Sequence, residues 1–511
     1  VFCIGFADTS FPASDKPVTV TLSEDVEMLS EVVVTALGIK REQKALSYNV
    51  QEVKGDQLTK VKDANFVNAL SGKVAGVVVN SSAAGVGGAT RIVMRGTKSL
   101  EKDDNALYVI DGIPMFTVNS GDTKGGTMAN QPGSSNVADI NPEDIESISV
   151  LTGPSAAALY GSSAANGVVL ITTKKGAEGK VKITYNNSTT FQNPMMLPEF
   201  QNTYGNVKGS AQSWGEKMAS PTSFNPSQFF RTGFNEMNSV TLSVGSQKNQ
   251  TYASVSSTNS KGTLPNSGYN RYNFAIRNTT NFAKDKLTLD LGAQYIIQDS
   301  KNLIGGGQYH NPLTSLYLFP RGENFAEVQN YERFDAARGF NVQWWPAEIF
   351  GSDLNVQNPY WVMNRMNTEI KKDRYMFNAS LKWDIAKWVN VIGRVRMDNT
   401  VQTLQQKNYA STTTLFTEGS DKGFYEHTDT KDGNVYADVI ANFNKSFAND
   451  RLSLIANLGG SVNDTRENIY HMEGGLDKVA NFFHVGNISK STMHRNEESW
   501  NDFVETENWV Y

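Results

Sequence analysis

At 511 residues the chain is too long for one ordinary hydrophobic core, so two or more domains are expected. A formal charge of -5 gives no support to a nucleic-acid partner, and the one cysteine, Cys3, excludes an internal disulfide framework and any cysteine metal cluster. Charged residues make up 19%, aromatics 10% and glycines number 42, a balance that favours sheet and turn over a helical bundle.

No run of 18 apolar residues occurs, so no transmembrane helix is expected; barrel strands of about 9–11 alternating residues stay open. The chain starts with VFCIGFADTS, without a start methionine or signal peptide, and is expected to begin inside a longer precursor. VFCIGF and the alternating KPVTVTLSED read as the last strands of a small β domain within residues 1–30. In residues 31–44, EVVVTAL is a strand former followed by the charged GIKREQK, and nothing nearby reads as its pairing partner.

Residues 45–179 read as a compact mixed zone. DANFVNALSGKVAG has a start signal at Asp63, apolar Phe66, Ala69 and Leu70 at helical spacing, and Gly72 as a stop, which predicts a helix. VVVNSS, TRIVMRG and NALYVIDGIP predict strands ending in turns, the last at Asp111-Gly112 with Pro114 beyond. NPEDIESISVLTGPSAAALYGSSAANGVVLITTKKG predicts a turn, a strand, a small-residue helix and a second strand, a βαβ-like unit.

Residues 180–511 change period. KVKITYNNSTTF, NSVTLSVGSQ, QTYASVSSTN, RYNFAIRNTTNFA, DKLTLDLGAQYIIQ, RYMFNASLKWDIA, WVNVIGRVRMDNT, VYADVIANFNKSF and RLSLIANLGGSV all alternate. In DKLTLDLGAQYI the apolar set is Leu287, Leu289, Leu291, Ala293 and Tyr295, with polar residues or glycine between. Short turns such as AKD and AND, and long aromatic-rich loops, notably 298–370, suit an outer-membrane barrel. A soluble sandwich or propeller would alternate as well.

No enzyme emerges from the motifs. AAGVGGATR lacks the GxGxxG spacing and acidic partner of a dinucleotide site, and in LTGPSAAALYG Ala157 replaces the second glycine of a nucleophile elbow. His310, His427, His471, His484 and His494 form no HExxH motif, and nothing assigns one as a base. Glu143/Asp144 and Asp103/Asp104 read as turn and helix-start residues rather than a catalytic dyad. No catalytic residue, metal ligand or cofactor is therefore expected.

RIVMRGTKSLEKDDNALYVIDGIPM (91–115) and INPEDIESISVLTGPSAAALYGSSAANGVVLITTKKG (140–176) resemble the plug signature of the SusC/RagA family of TonB-dependent outer-membrane transporters. The resemblance implies an α+β plug at 45–179 followed by part of an antiparallel transmembrane β-barrel at 180–511, roughly its first half. Residues 1–30 would be the end of a carboxypeptidase-regulatory-like β-sandwich domain, and 31–44 the TonB box and linker. The box would be Glu31, Val32, Val33, Val34, Thr35, Ala36 and Leu37, pairing with a partner's sheet edge through backbone hydrogen bonds. Plug motif and gating residues would be Arg91, Arg95, Gly96, Asp111, Gly112, Pro114, Gly153, Pro154, Tyr160, Gly161, Asn166 and Gly167.

Plug arginines in the wider class pair with barrel acids. Arg91 and Arg95, flanking Val93 on one strand face, are the candidates here. Stretches 81–89 and 161–167, rich in small residues, are candidate low-stability units. Partners implied are the TonB C-terminal domain with ExbB and ExbD, a SusD-like surface lipoprotein, outer-membrane lipid, and a glycan or peptide substrate. The place is the cell outer membrane, with plug and box facing the periplasm. Trp344, Trp345, Tyr360 and Trp361 could touch substrate or lid, or be packing or girdle residues. A barrel of this class has about 22 strands, so residues 180–511 are too few, and the charged NDFVETENWVY does not read as a closing strand. A fragment is expected. A signalling receptor of the same fold and a soluble glycan-binding β protein remain the alternatives.

Overall fold

The computed structural model describes residues 32–34, 40–42 and 50–510, apart from 61, 81–84, 89, 97–104, 116–118, 121–133, 153–155, 158–159, 208–209, 211, 223, 306, 346–355, 448–451 and 492. The small β domain expected in residues 1–30 lies outside them, as do Glu31, Thr35, Ala36 and Leu37 of the box, and Gly153 and Pro154.

The valine run does form a strand, β1 (Val32–Val34), but it has a partner within its own chain. It pairs antiparallel with β2 (Lys40–Glu42), Val33 opposite Arg41. Lys-Arg-Glu has no strand pattern of its own, which is why the sequence pointed to another protein for the partner. Three residue pairs make a marginal ribbon, and its outer edges carry no further strand among the described residues.

Five strands build the next unit: β3 (Val50–Lys54), β6 (Leu107–Ile110), β7 (Ile113–Met115), β10 (Ile145–Leu151) and β11 (Val168–Thr173), in the order β3-β10-β11-β6-β7. Between them in sequence lie α1 (Gly55–Thr59) and two small two-stranded ribbons, β4 (Val77–Asn80) with β5 (Arg91–Met94), and β8 (Asn119–Ser120) with β9 (Ser134–Ser135). The two strands of the expected βαβ-like unit, β10 and β11, pair antiparallel, so the parallel crossover reading is corrected; the parallel neighbours are β6 and β11. The helix expected from Asp63 is also corrected. Asp63 Oδ1 accepts from the Asn65 N–H as a cap should, but the chain then makes turns and one 3-10 turn at Asn68–Leu70. Phe66, Val67 and Leu70 are buried all the same, because the core needs those side chains whatever the backbone does.

Asp111-Gly112, at φ 50° and 83°, forms a two-residue turn that sets Ile110 opposite Ile113. Both residues are left-handed, as the hairpin's twist requires, so an Asp-Gly pair suits the site. The sheet is apolar on both faces. Val169 and Ile171 belong to one cluster with Phe66, Ile92, Ile140 and Ile148, whereas Val168 and Leu170 belong to another with Val50, Tyr160 and Ile440.

Ile440 belongs to the second body, a ten-stranded sheet in which every strand is antiparallel to the one before it. Its strands are β12 (Gly179–Gln192), β13 (Gly233–Gly245), β14 (Asn249–Lys261), β15 (Gly268–Phe282), β16 (Leu287–Lys301), β19 (Met366–Ala386), β20 (Val389–Tyr409), β21 (Gly423–Phe447), β22 (Leu452–Gly475) and β23 (His494–Val510). All nine segments read as alternating are strands. The tenth, β23, is the charged stretch that had not read as one. The sheet is not closed: β12 and β23 are its edges.

The two faces of this sheet decide between barrel and soluble sandwich. Asp290, Arg277, Gln298, Arg374 and Arg396 are buried under the five-stranded unit, while Leu291, Tyr295, Phe377, Val395 and Val439 on the opposite face are exposed. A soluble sandwich buries its apolar face; here the polar face is covered and the apolar one is bare, the arrangement of a wall facing lipid. Aromatics Phe282, Trp383 and Trp388 sit on that outer face near the short turns, as a membrane-interface belt would. Among the described residues no helix is long and apolar enough to cross a membrane.

Between β16 and β19, outside the sheet, lie α2 (Pro312–Leu318), α3 (Phe325–Val328), the ribbon of β17 (Glu332–Asp335) and β18 (Phe340–Gln343), and α4 (Pro359–Arg365). Asn311-Pro312 and Asn358-Pro359 start α2 and α4: each Asn side chain accepts an N–H two residues on, and each Pro fills a position whose N–H would have no partner.

Candidate functional site

The seam between the small sheet, read as the plug, and the wall carries the polar chemistry of the molecule. Alternation puts Arg271, Asn273 and Arg277 of β15 on the covered face, with Lys372 and Arg374 of β19 beside them. They grip two places on the plug. The first is the turn at residues 136–139. Asp139, 2% exposed, takes Lys372 Nζ at 2.7 Å and Arg374 Nη1 at 3.0 Å on Oδ2. Its carbonyl accepts from Asn273 Nδ2 at 2.7 Å, and the Ala138 carbonyl from Arg271. The Asn136 carbonyl accepts from Arg374, and Asn136 Oδ1 from Lys372 at 3.2 Å.

The second place is the Asp111 turn. Asp111 Oδ2 receives Arg277 Nη1 at 3.0 Å and the Thr173 hydroxyl at 2.7 Å, and its Oδ1 the Thr173 N–H at 3.0 Å. Wall carboxylates hold the gripping cations in place. Asp290 binds Arg277 through both oxygens, at 2.8 and 2.9 Å, and Asp398 does the same for Arg374, at 2.8 and 2.6 Å. Lys175, at the end of the plug, reaches Asp290 at 2.8 Å. Deeper in the wall, Arg394 and Asp438 face each other across β20 and β21 and pair through two bonds.

Asp144 follows the Asn141-Pro142 cap and accepts from the Tyr252 hydroxyl of β14 at 2.9 Å. Burial pushes its pKa up, against hydrogen bonds from Ser254 and Tyr252 that pull it down. Glu143 pairs with Lys62 and accepts from Asn186 of β12 at 3.2 Å. Glu143/Asp144 are thus helix-start acids, as expected, and they also meet the wall.

The expected polarity of the lock is reversed. Arg95 lies past the end of β5, exposed and in the left-handed region at φ 57°, so it shares no strand face with Arg91, and it makes no ion pair among the described residues. The Arg91 side chain lies outside the described residues. At the Asp111 and Asp139 grips the cations belong to the wall and the acids to the plug, whereas Lys175 of the plug reaches Asp290 of the wall. Among the motif residues, Asp111 takes part directly and Gly112 completes its turn. Tyr160 packs with Ile440 of β21, and Pro114 lies in β7 opposite Val109. Gly96, Gly161 and Gly167 all have positive φ, and Asn166 is half-buried. Sequence reasoning missed Asp139, Arg277, Lys372 and Arg374. For Lys372 and Arg374 the signal was two basic residues two apart inside an alternating segment, the KKDR of β19.

The long loops hold a second, apolar assembly, in which Trp361 takes the packing role of the two alternatives. Trp361 is 0% exposed and donates Nε1 to Thr412, so neither substrate nor lid reaches it. Trp344, Trp345 and Tyr360 pack against the cluster of Phe229, Leu316, Phe319 and Phe325. Arg321 is held between the Phe200 and Phe224 rings at 4.0 and 4.5 Å, and burial lowers its pKa to about 10.

His310 meets Phe416 edge-on at 5.0 Å, and burial holds its pKa down to about 4. With the folded pKa below the unfolded 6.5, its contribution is complete above pH 6.5 and is lost as pH falls towards about 4. Acidification to pH 5 is expected to loosen this loop assembly by about 2 kcal/mol. Limited proteolysis should show faster cleavage within 302–365 at pH 5 than at pH 7.5, and His310→Phe should remove the difference.

Comparison with known proteins agrees with this geometry. Residues 42–168 match the model of the TonB-dependent receptor plug domain. The TonB-dependent receptor SusC of Bacteroides thetaiotaomicron is 28% identical over 397 residues, 74% of this chain and 37% of that protein. A TonB-dependent receptor of Formosa agariphila is 25% identical over 501 residues, 94% of this chain and 45% of its own length. The chain therefore spans less than half the length of these relatives. The RagAB peptide importer in its open-open state superposes with a TM-score of 0.69 at 18% identity, over 92% of this chain and 53% of that one, which shows a shared fold. With a small sheet seated on the polar face of a wall whose apolar face is bare, the chain carries a TonB-dependent receptor plug domain beside a barrel-like sheet and is similar to TonB-dependent transporters of the SusC/RagA type.

Proposed function

We propose that the chain takes part in TonB-dependent import of a large nutrient, an oligosaccharide or a peptide, across the outer membrane, with the plug as gate. The observation that carries this reading is the seam itself. A plug held to the wall by ion pairs at Asp111 and Asp139, rather than by a large apolar interface, can be reseated after displacement. Buried pairs fix position strongly but add little net stability over an apolar contact, so they suit a gate that must shift and return.

The topology supports one route for the force. TonB, driven by ExbB and ExbD, pairs with Val32–Val34 by adding a strand to a free edge or by displacing Lys40–Glu42. Tension on that segment passes to β3, an edge strand that meets only β10, through five residue pairs from Lys54↔Ser147 to Val50↔Leu151. Peeling β3 exposes β10, and the Asp139 grip lies a few residues before β10 in the chain. The long-loop end faces outward, where a SusD-like lipoprotein covers it, and the short-turn end, with plug and box, faces the periplasm. RagAB is a peptide importer, and its likeness in fold supports a peptide as one of the two substrate classes.

Val33→Pro tests this. Proline removes the central N–H of the box, and energised uptake in whole cells is expected to fall to the level of a strain lacking TonB. Substrate binding at the surface should be unchanged. Uptake at the wild-type rate would refute the box and the import reading built on it.

A further inference from the structure

A cavity of about 220 Å³ lies in the seam beside the Asp111 turn. Five cationic side chains line it, Lys175 from the plug and Arg277, Lys382, Arg394 and Arg396 from the wall, against two carboxylates, Asp111 and Asp290. Arg277, Lys175 and both carboxylates are already joined to one another. Arg394 is joined to Asp438, and Lys382 to Asp384 at 2.8 Å.

Arg396 is the exception. It is 5% exposed, yet its Nη2 reaches only Asp398 Oδ2 at 3.2 Å and Met376 Sδ at 3.5 Å. That oxygen already takes Arg374 Nη2 at 2.6 Å. Arg396 Nη1 is buried with no hydrogen-bond partner. A guanidinium N–H left unmatched in a buried site is unfavourable. A positive lining around a void, with an unmatched donor on one of its arginines, is the environment of an anion.

We propose that this cavity is a binding site for a compact oxyanion, a phosphate, sulfate or carboxylate group, held by Arg396 with Arg394 and Lys382. Lys382 and Lys175 are 40% and 46% exposed in their side chains and stand at the mouth, while the arginines lie inside, so an anion enters past the lysines to the buried forks. Lys382 lies toward the short-turn end of β19, four residues before the end of the strand at Ala386. The bound anion touches both bodies, Lys175 on one side and Arg396 on the other, and so adds to the seating of the plug. Two sources share this chemistry: a free inorganic ion, and the acid group of a cargo such as a uronic acid. The site rests on the cavity and its arginines and is independent of the import reading.

The test uses the detergent-solubilised chain at constant ionic strength, with inorganic phosphate and glucuronate as separate probes. Isothermal titration should show one saturable phosphate site per chain at millimolar concentrations or below. Thermal unfolding should rise with phosphate and not with matched chloride. Arg396→Met is expected to abolish both effects. Lys382→Gln, at an exposed position that does not threaten folding, should weaken phosphate by about tenfold. Glucuronate competing with phosphate identifies a site open to cargo acids, and phosphate alone identifies a free-ion site; both support the assignment. No saturable phosphate binding, or binding unchanged in Lys382→Gln and Arg396→Met, overturns it.

Discussion

Replacing Asp139 by asparagine is expected to loosen the plug by about 3–5 kcal/mol, the cost of removing one partner from a buried ion pair. Lys372 and Arg374 both converge on Asp139 Oδ2, and neither is exposed by more than 2% in its side chain. Arg374 keeps Asp398 after the change, so the stranded charge is Lys372. Hydrogen exchange by mass spectrometry should read this as amides of β10 and β11 exchanging about 10²- to 10³-fold faster, with the central wall strands unaltered. Adding Lys372→Met removes the stranded charge, and the double variant should recover part of the loss. Exchange in Asp139→Asn indistinguishable from wild type would show that the grip at 136–139 does not hold the plug.

Gly167→Ala is expected to destabilise the plug by about 2–5 kcal/mol, combining a left-handed backbone cost with overpacking. Gly167 sits at φ 101°, and a Cβ there would lie 2.3 Å from Met94 Sδ and 3.1 Å from the Leu151 carbonyl oxygen. The methionine can swing away, but the carbonyl belongs to β10 and cannot. Gly72→Ala is the matched control, since its φ is 72° and nothing lies within 4 Å of the added methyl. It should cost only the backbone share. Urea unfolding should separate the two variants, and Met94→Ala in the Gly167→Ala background should restore part of the difference. Equal stability of the two glycine variants would remove the packing account.

The reversed polarity of the seam has a physical basis. Two of the gripping cations are each fixed by a wall carboxylate one strand away, Arg277 by Asp290 and Arg374 by Asp398. The forks are therefore organised before the plug arrives and stay satisfied in part when it leaves. The plug acids are carried on short backbone turns, where a carboxylate needs little side-chain ordering. At these two grips the wall keeps the fixed cations and the plug supplies the carboxylates.

The sequence by itself determined a good deal. Alternation marked nine of the ten wall strands, because a two-residue period with one apolar face survives any tertiary context that keeps that face in one medium. Asp111-Gly112 marked its hairpin, since only such residues accept the left-handed turn, and the plug signature pointed to the family it resembles. What failed did so for stated reasons. β23 is charged, and its strand state comes from pairing with β22 rather than from its own pattern. The segment after Asp63 has helical spacing, but the core captured its apolar residues in turns. Lys40–Glu42 became a partner for the box by proximity alone. Which face of each strand meets lipid, which acids meet which arginines, and whether Trp361 is surface or core were decided only by the tertiary structure. Those outcomes depend on residues brought together from strands far apart in the chain, such as Asp139 with Arg374, and no local period records a contact across 235 positions.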